Sequence, residues 1–261
     1  MMDKKQEQKI SVVINTYNAE EHLEKVLQSV ECFDEVVVCD MESTDSTLEI
    51  AKQHGCKIIT FKKGNISIVE PARQFAIEAA SHPWVLVVDA DELITPELAD
   101  YLYKQIAQAD CPDGISIPRK NYFMGKFMHS TYPDYILRFF RKEKTQWPPV
   151  IHTSPNVDGT VYRIPRRQEQ LAFIHLANDS VSDILRKNNT YSNYEVIRRS
   201  KKKYGLSHLF LRPFFRVFKA YVLKGGWKDG MPGLIYALLM GVYQFMIVAK
   251  IIEKRKNARN L

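Results

Sequence analysis

Four short apolar runs separated by segments of helical periodicity constrain this chain more than any other feature. Ile10-Ser-Val-Val-Ile14, Glu35-Val-Val-Val-Cys39, Lys57-Ile-Ile-Thr-Phe61 and Trp84-Val-Leu-Val-Val88 are strand-length and rich in β-branched residues. Between the first two, Leu23, Val26, Leu27 and Val30 recur at helical spacing. Ser43-Thr-Asp-Ser46 then precedes a second helix that Gly55 is suited to cap, and Glu70 to Ala80 reads as a third with Pro71 in its first turn. Strands alternating with helices in this way predict a parallel, doubly wound sheet, because parallel neighbours need a crossover between them.

The fourth run ends in Asp89-Ala-Asp-Glu92. Open α/β sheets bind ligands beyond the carboxyl ends of their strands, so these acids stand where chemistry is expected. Three carboxylates within four residues repel one another, and a cation among them relieves the repulsion. Oxygen donors of this kind suit Mg²⁺ or Mn²⁺, which keep coordination positions for substrate phosphates. The plainer alternative is that they open the solvated helix expected over Pro96 to Gln108. Two further turns share the same edge: Asn15-Thr-Tyr-Asn18 after the first strand, and Asp40 with Ser43-Thr-Asp45 after the second. Such turns hold a nucleobase and ribose with backbone amides and a carboxylate while the acids hold metal and diphosphate. Arg73, near the start of the third helix, is placed to reach a phosphate or the acid cluster itself.

After a strand at Gly114-Ile-Ser-Ile-Pro118 the pattern loosens. Tyr132 to Arg141 reads as a strand carrying functional side chains, and the paired prolines of Trp147-Pro-Pro-Val150 exclude helix there. We expect a partly antiparallel, loop-rich region from about Pro118 to His175, then a polar helix from Ser182 to Lys203 capped by Ser180 or Ser182. From Phe210, a basic and aromatic amphipathic helix runs through Val222. Gly225-Gly-Trp-Lys-Asp-Gly230 breaks it, and Met231 to Ala249 carries no charge. That stretch is nearly long enough to span a bilayer at ~20 residues. Its Pro232, Gly233, Gln244 and tyrosines favour a helix lying in the headgroup region or packed on the catalytic domain. The reading is therefore a domain over 1–205, with a nucleotide half at 10–110 and an acceptor half at 111–180, followed by a basic extension over 206–261.

Net charge of +7 lies largely beyond Arg138, which suggests an anionic partner such as a phosphorylated substrate or an acidic membrane surface. Cys32, Cys39, Cys56 and Cys111 show neither C-x-x-C pairing nor metal spacing, and read as small hydrophobes of a reducing compartment. The charged N-terminus has no leader-like apolar run, so a cytoplasmic protein is expected.

Ser11 to Glu20, Asp34 to Asp40 with Ser43-Thr-Asp-Ser46, Ala72-Arg73 and Asp89 to Glu92, in that order, resemble the inverting family 2 glycosyltransferases of GT-A fold over about residues 10 to 110. Tyr132-Pro-Asp-Tyr135, Arg138 to Arg141, Val150-Ile-His152, Ile174-His175 and the ending Tyr221 to Glu253 resemble the bacterial lipopolysaccharide-core β-glucosyltransferase subgroup. Thr153 stands where that subgroup commonly has Glu. The resemblance implies a hexose, first guess glucose, moved from a nucleotide-diphosphate sugar such as a UDP-sugar to a lipid-linked glycan. It implies Thr16, Asn18 and Asp40 at the base, with Glu20, Ser43 and Arg73 in the same donor-binding group. Asp89 would touch ribose or a metal-bound water and Asp91 would ligate Mg²⁺ or Mn²⁺. A third ligand is expected at His152, with His175 second. The base that takes the acceptor proton is expected at Asp134, with Glu92 as the alternative, and Arg138 or Arg73 would help the diphosphate depart. The enzyme would sit peripherally on the inner face of the cytoplasmic membrane, against anionic lipids.

Two readings compete. A haloacid-dehalogenase-like phosphatase also places Asp-x-Asp after an apolar strand, with the first Asp as nucleophile. A basic adaptor for membranes or nucleic acid would leave the acids idle, and no groove-reading motif is present, so a nucleic-acid partner is not expected.

Overall fold

The computed structural model describes residues 8–64, 69–149, 153–176, 180–199 and 202–257. Its strands are β1 (Ile10–Thr16), β2 (Glu35–Asp40), β3 (Lys57–Thr60), β4 (Trp84–Asp89), β5 (Glu92–Leu93), β6 (Gly114–Phe123), β7 (Lys126–Phe127), β8 (Asp134–Arg141), β9 (Thr145–Gln146), β10 (Asn156–Val157), β11 (Val161–Arg163) and β12 (Phe173–His175). Its helices are α1 (Glu20–Val30), α2 (Thr47–Gln53), α3 (Glu70–Ala79), α4 (Pro96–Ile106), α5 (Val181–Arg198), α6 (Leu206–Phe218) and α7 (Gly230–Asn257). They form two compact units: Met1–Lys120 with Pro133–Leu176, and Asn121–Tyr132 with Ala177–Leu261. This division groups α5 with the C-terminal helices and falls at residue 176, where the sequence reading placed a boundary near 205.

In the first unit β1 lies between β2 and β4, parallel to both, with Thr16 opposite Asp40 and Asn15 opposite Asp89. The main sheet runs β3-β2-β1-β4-β8-β6-β12-β5. Strand alternation explains its two faces. Val12 and Ile14 pack with Leu23, Val26 and Leu27 of α1 and Leu98 of α4, while Val13 packs with Ala72, Ala76 and Ile77 of α3. Each fully buried aliphatic side chain contributes ~1.5–3 kcal/mol, which makes slipping any of these strands by one residue costly. The expected doubly wound, mostly parallel α/β architecture is the one found. The looser second half is partly antiparallel as read: β8 pairs antiparallel with both β4 and β6, while β11 pairs parallel with β6.

In the second unit α5 starts one residue before the expected range, with the Ser180 hydroxyl accepting from the Asp183 N–H at 3.0 Å, and ends at Arg198 rather than Lys203. α6 begins at Leu206, ahead of Phe210, and passes into a π-helical turn at Lys219–Leu223. The glycine break is real: Gly225 and Gly230 both take positive φ, at 74° and 66°. Asp229, fully buried between them, accepts from the backbone N–H groups of His129 and Ser130 at 2.9 and 3.0 Å. Of the four cysteines Cys39 is fully buried, Cys56 and Cys111 are partly buried and pack against the core, and Cys32 is exposed, so the description as core hydrophobes fails for Cys32.

Candidate functional site

The carboxyl ends of β1 and β2 are cross-braced by their own turns. Thr16 Oγ1 donates to Asp40 Oδ1 at 3.0 Å, and the Ser43 N–H donates to Asp40 Oδ2 at 2.9 Å. Asn18 sits at φ 49°, a left-handed conformation that asparagine tolerates; its N–H donates to Ser43 Oγ at 2.9 Å and its Oδ1 accepts from the Thr44 N–H at 2.8 Å. Glu20 closes the brace, its carboxylate accepting from the Ser46 N–H at 3.0 Å. Thr16, Asn18 and Asp40, expected at the base, therefore come together with Glu20 and Ser43 of the same donor-binding group. Asp40 is buried with its carboxylate engaged, so a base contact from it requires one of these partners to yield. Beside the brace lies an exposed aromatic ring, Tyr17, with Lys63 Nζ 3.3 Å from its centroid.

At the end of β4 the acids part company. Asp89 is clamped between Arg73 Nη2 at 2.6 Å and Arg138 Nη2 at 2.8 Å. Burial alone would raise its pKa, but the two guanidinium charges, Arg138 foremost, hold it well below the usual carboxylate range. Both guanidinium groups also lie over the buried Trp147 ring, at 4.9 and 5.2 Å. Nη1 of Arg73 and Nη1 of Arg138 are buried without a hydrogen-bond partner in the protein. Arg73 thus reaches the acid cluster as the sequence suggested. Arg138 joins it because β8 pairs beside β4.

Glu92 is fully buried. It accepts from the Asp89 N–H at 3.0 Å and from Arg119 Nη1 at 2.8 Å, and burial, followed by the Asp89 charge, pushes its pKa up. Arg119 spans on to Asp134, donating from Nε and Nη2 to Oδ2 at 3.0 and 2.6 Å. The register that sets Arg119 opposite Asp134 fixes this contact. Between Glu92 and Asp134, only Asp134 is open to solvent, its side chain 37% exposed against 0%. Sequence reading missed Arg119, although it continues the alternation of the buried Ile115 and Ile117 along β6, where a charge signals a buried partner.

Among the described residues, Asp91 is the one of the three acids that faces an imidazole. Its Oδ2 is 3.5 Å from His175 Nε2, because β12 pairs antiparallel with β5 and sets His175 opposite Glu92. His152, the first choice for that place, lies outside the described residues. The expectation that a metal is needed to hold the acids together is corrected in part: arginines neutralise Asp89 and Glu92. Among the described residues no group of three metal-ligating side chains forms. Asp91 with His175 does fit a hard divalent ion that keeps most positions for water and phosphate. An unencumbered Asp89 nucleophile, as the phosphatase reading requires, is not what the structure holds.

The chain is 27% identical to a lipopolysaccharide core biosynthesis glycosyltransferase of Rhizobium meliloti, over 94% of this chain and 92% of that protein. It is 26% identical to an uncharacterized glycosyltransferase of Rickettsia typhi, over 97% and 90%. Among solved structures it is similar to TarS of Staphylococcus aureus, with a TM-score of 0.49, 16% identity and 94% and 91% of the two chains covered. Residues 11–163, more than half of the chain, match the family model described as glycosyl transferase family 2. The chain is a family 2 glycosyltransferase.

Proposed function

We propose that the enzyme is an inverting, metal-dependent hexosyltransferase that moves a sugar, glucose as first choice, from a UDP-sugar to a lipopolysaccharide-core or other surface-polysaccharide acceptor. The observation that carries this reading is the edge where β1, β2, β4 and β8 converge. There a braced turn pair, two arginines with unpaired buried Nη1 groups, and a solvent-open carboxylate stand together. The name of the Rhizobium meliloti relative supports the acceptor class. The catalytic part extends over 1–205, with donor residues in 10–110 and acceptor residues in 111–180.

In this reading the turns carrying Thr16, Asn18, Glu20, Asp40 and Ser43 receive the nucleoside, and Arg73 and Arg138 direct their free Nη1 donors at the diphosphate. Asp91 and His175, with His152 as a further candidate, would hold Mg²⁺ or Mn²⁺. When bound, that ion supplies charge neutralisation for the departing diphosphate. Asp134 accepts the proton of the acceptor hydroxyl as its oxygen attacks the anomeric carbon from the face opposite the diphosphate. The C–O bond to the diphosphate breaks and the electron pair leaves with it. Arg119 holds Asp134 in place while Glu92, sealed in the core, anchors Arg119. The acceptor is a lipid-linked glycan, which sets the enzyme on the inner face of the cytoplasmic membrane, in contact with anionic lipid.

Calorimetry with UDP-glucose, with and without Mn²⁺, tests the donor half of the proposal. Binding that tightens with Mn²⁺ in the parent and is lost in Asp91→Ala is expected, and equal binding in both proteins would overturn it.

A further inference from the structure

We propose that α6 and α7 form a helical hairpin that lies in the headgroup layer of an anionic bilayer and is entered from one side only. This rests on the membrane location inferred above and adds the way the chain holds to it. Exposure, charge and packing support it. Leu206, Phe210, Phe214 and Phe218 recur every four residues along α6 and are all exposed, Phe214 at 72%. Trp227 in the connecting turn, and Leu238, Val242 and Phe245 on α7, are exposed as well. A stripe of this kind on a folded surface marks an interaction face.

Charge names the partner. Between Leu206 and Ile252 the one acidic residue is Asp229, which is fully buried on His129 and Ser130. Arg216, Lys219, Lys224 and Lys228 are exposed. An aromatic surface over Leu206–Ile252 with exposed cations and no exposed anion is complementary to anionic lipid, with rings at the interfacial level and cations at the phosphates; the exposed Glu253 of α7 lies beyond it, followed by Lys254, Arg255 and Lys256.

Packing decides against a crossing. The stretch Gly226–Asn257 is long and apolar enough to span. Yet Gly241 lies so close to α6 that a Cβ there would meet Val217 Cγ2 at 2.5 Å and the Pro213 carbonyl at 3.5 Å. Arg212 and Arg216 sit within the same stretch of α6. Nearer its end, α7 is tied to the polar α5, with Lys250 Nζ donating to Asn189 Oδ1, Ser192 Oγ and Asn193 Oδ1, each at 2.7 Å. A spanning α7 would draw those arginines and amides into hydrocarbon, where charges and polar groups are expensive. A hairpin in one leaflet leaves them wet.

The test uses the full chain in two measurements. Flotation with phosphatidylcholine vesicles, with and without phosphatidylglycerol, is expected to show binding that needs the anionic lipid. Phe214→Ser with Phe218→Ser should weaken it roughly tenfold or more while thermal melting stays unchanged. Absence of vesicle binding in a protein that still binds UDP-glucose would overturn the hairpin and leave the transferase reading standing. For topology, Lys228→Cys and Lys254→Cys are made separately in a Cys32→Ser background and probed with a membrane-impermeant maleimide. Labelling of both only after the cells are opened is expected. Labelling of one from outside and the other from inside would establish a span and overturn the proposal.

Discussion

Asp40 and Asp89 close the two strands that flank β1, one on each side, and the chain solvates them by opposite means. Asp40 is surrounded by neutral donors, the Thr16 hydroxyl and the Ser43 N–H among them. Asp89 is surrounded by charge, with a guanidinium on each oxygen. A carboxylate cradled by hydroxyls and amides fixes two turns and has little capacity left for a ligand. One clamped by arginines keeps donors in reserve, because each guanidinium has five N–H groups and the clamp uses few of them. Similar strand-end acids therefore serve, in our reading, a rigid floor in one place and an anion-receptive wall in the other.

The comparison is broken most directly at Asp89. Asp89→Asn leaves Arg73 and Arg138 buried without their counter-charge, and a loss of about 3–5 kcal/mol in urea unfolding is expected; a loss below that of Asp40→Asn would sink the distinction. Asp134→Asn sharpens the comparison from the chemical side. Turnover should fall roughly 10²–10⁴-fold with donor affinity unchanged, as for loss of a general base, and full turnover would remove Asp134 from the role. Asp40→Asn keeps the shape of its cradle and should cost about 1–3 kcal/mol, read as a shifted thermal melt.

The smallest effect is a pH dependence at the other end of β2. Glu35 is partly buried, which by itself raises its pKa, but hydrogen bonds from Ser11 and Ser81, with help from Lys57, bring it down to about 2. Its contribution to stability is present above the ordinary glutamate value and fades as pH falls toward 2. Glu92 has the opposite sign: burial raises it, so its contribution is present at low pH and fades as pH rises through its elevated value. Glu35→Gln should flatten the acid limb of a urea-midpoint profile and lower the neutral limb, where the carboxylate's contribution is fully present. An unchanged acid limb would show that neutral cradling carries no linkage here.

The parallel half was legible because β1, β2 and β4 are continuous apolar runs of strand length, buried on both faces, and are separated by segments of helical periodicity. The turns bearing Thr16, Asp40 and Ser43 were legible for the same reason, since strand ends locate them. The sharing of charge among Arg119, Glu92 and Asp134 was not, because it depends on β6 pairing with β8 across a loop whose register no local pattern encodes. Helix ends failed for physical reasons as well. α5 stops at Arg198 rather than Lys203, and α7 runs beyond the uncharged stretch that ends at Ala249, through Lys250, which donates to α5, to Asn257.

The antiparallel return of β12 onto β5 bears on how this protein is made. A nascent chain leaving the ribosome can wind β1 to α4 and set the turns of Thr16 and Asp40 early, since those contacts are local. The imidazole of His175 reaches Asp91 only after β6 and β8 have been laid down beside β4. Competence to grip a cation would thus arrive at the close of synthesis of this unit, after the scaffold that displays it has set.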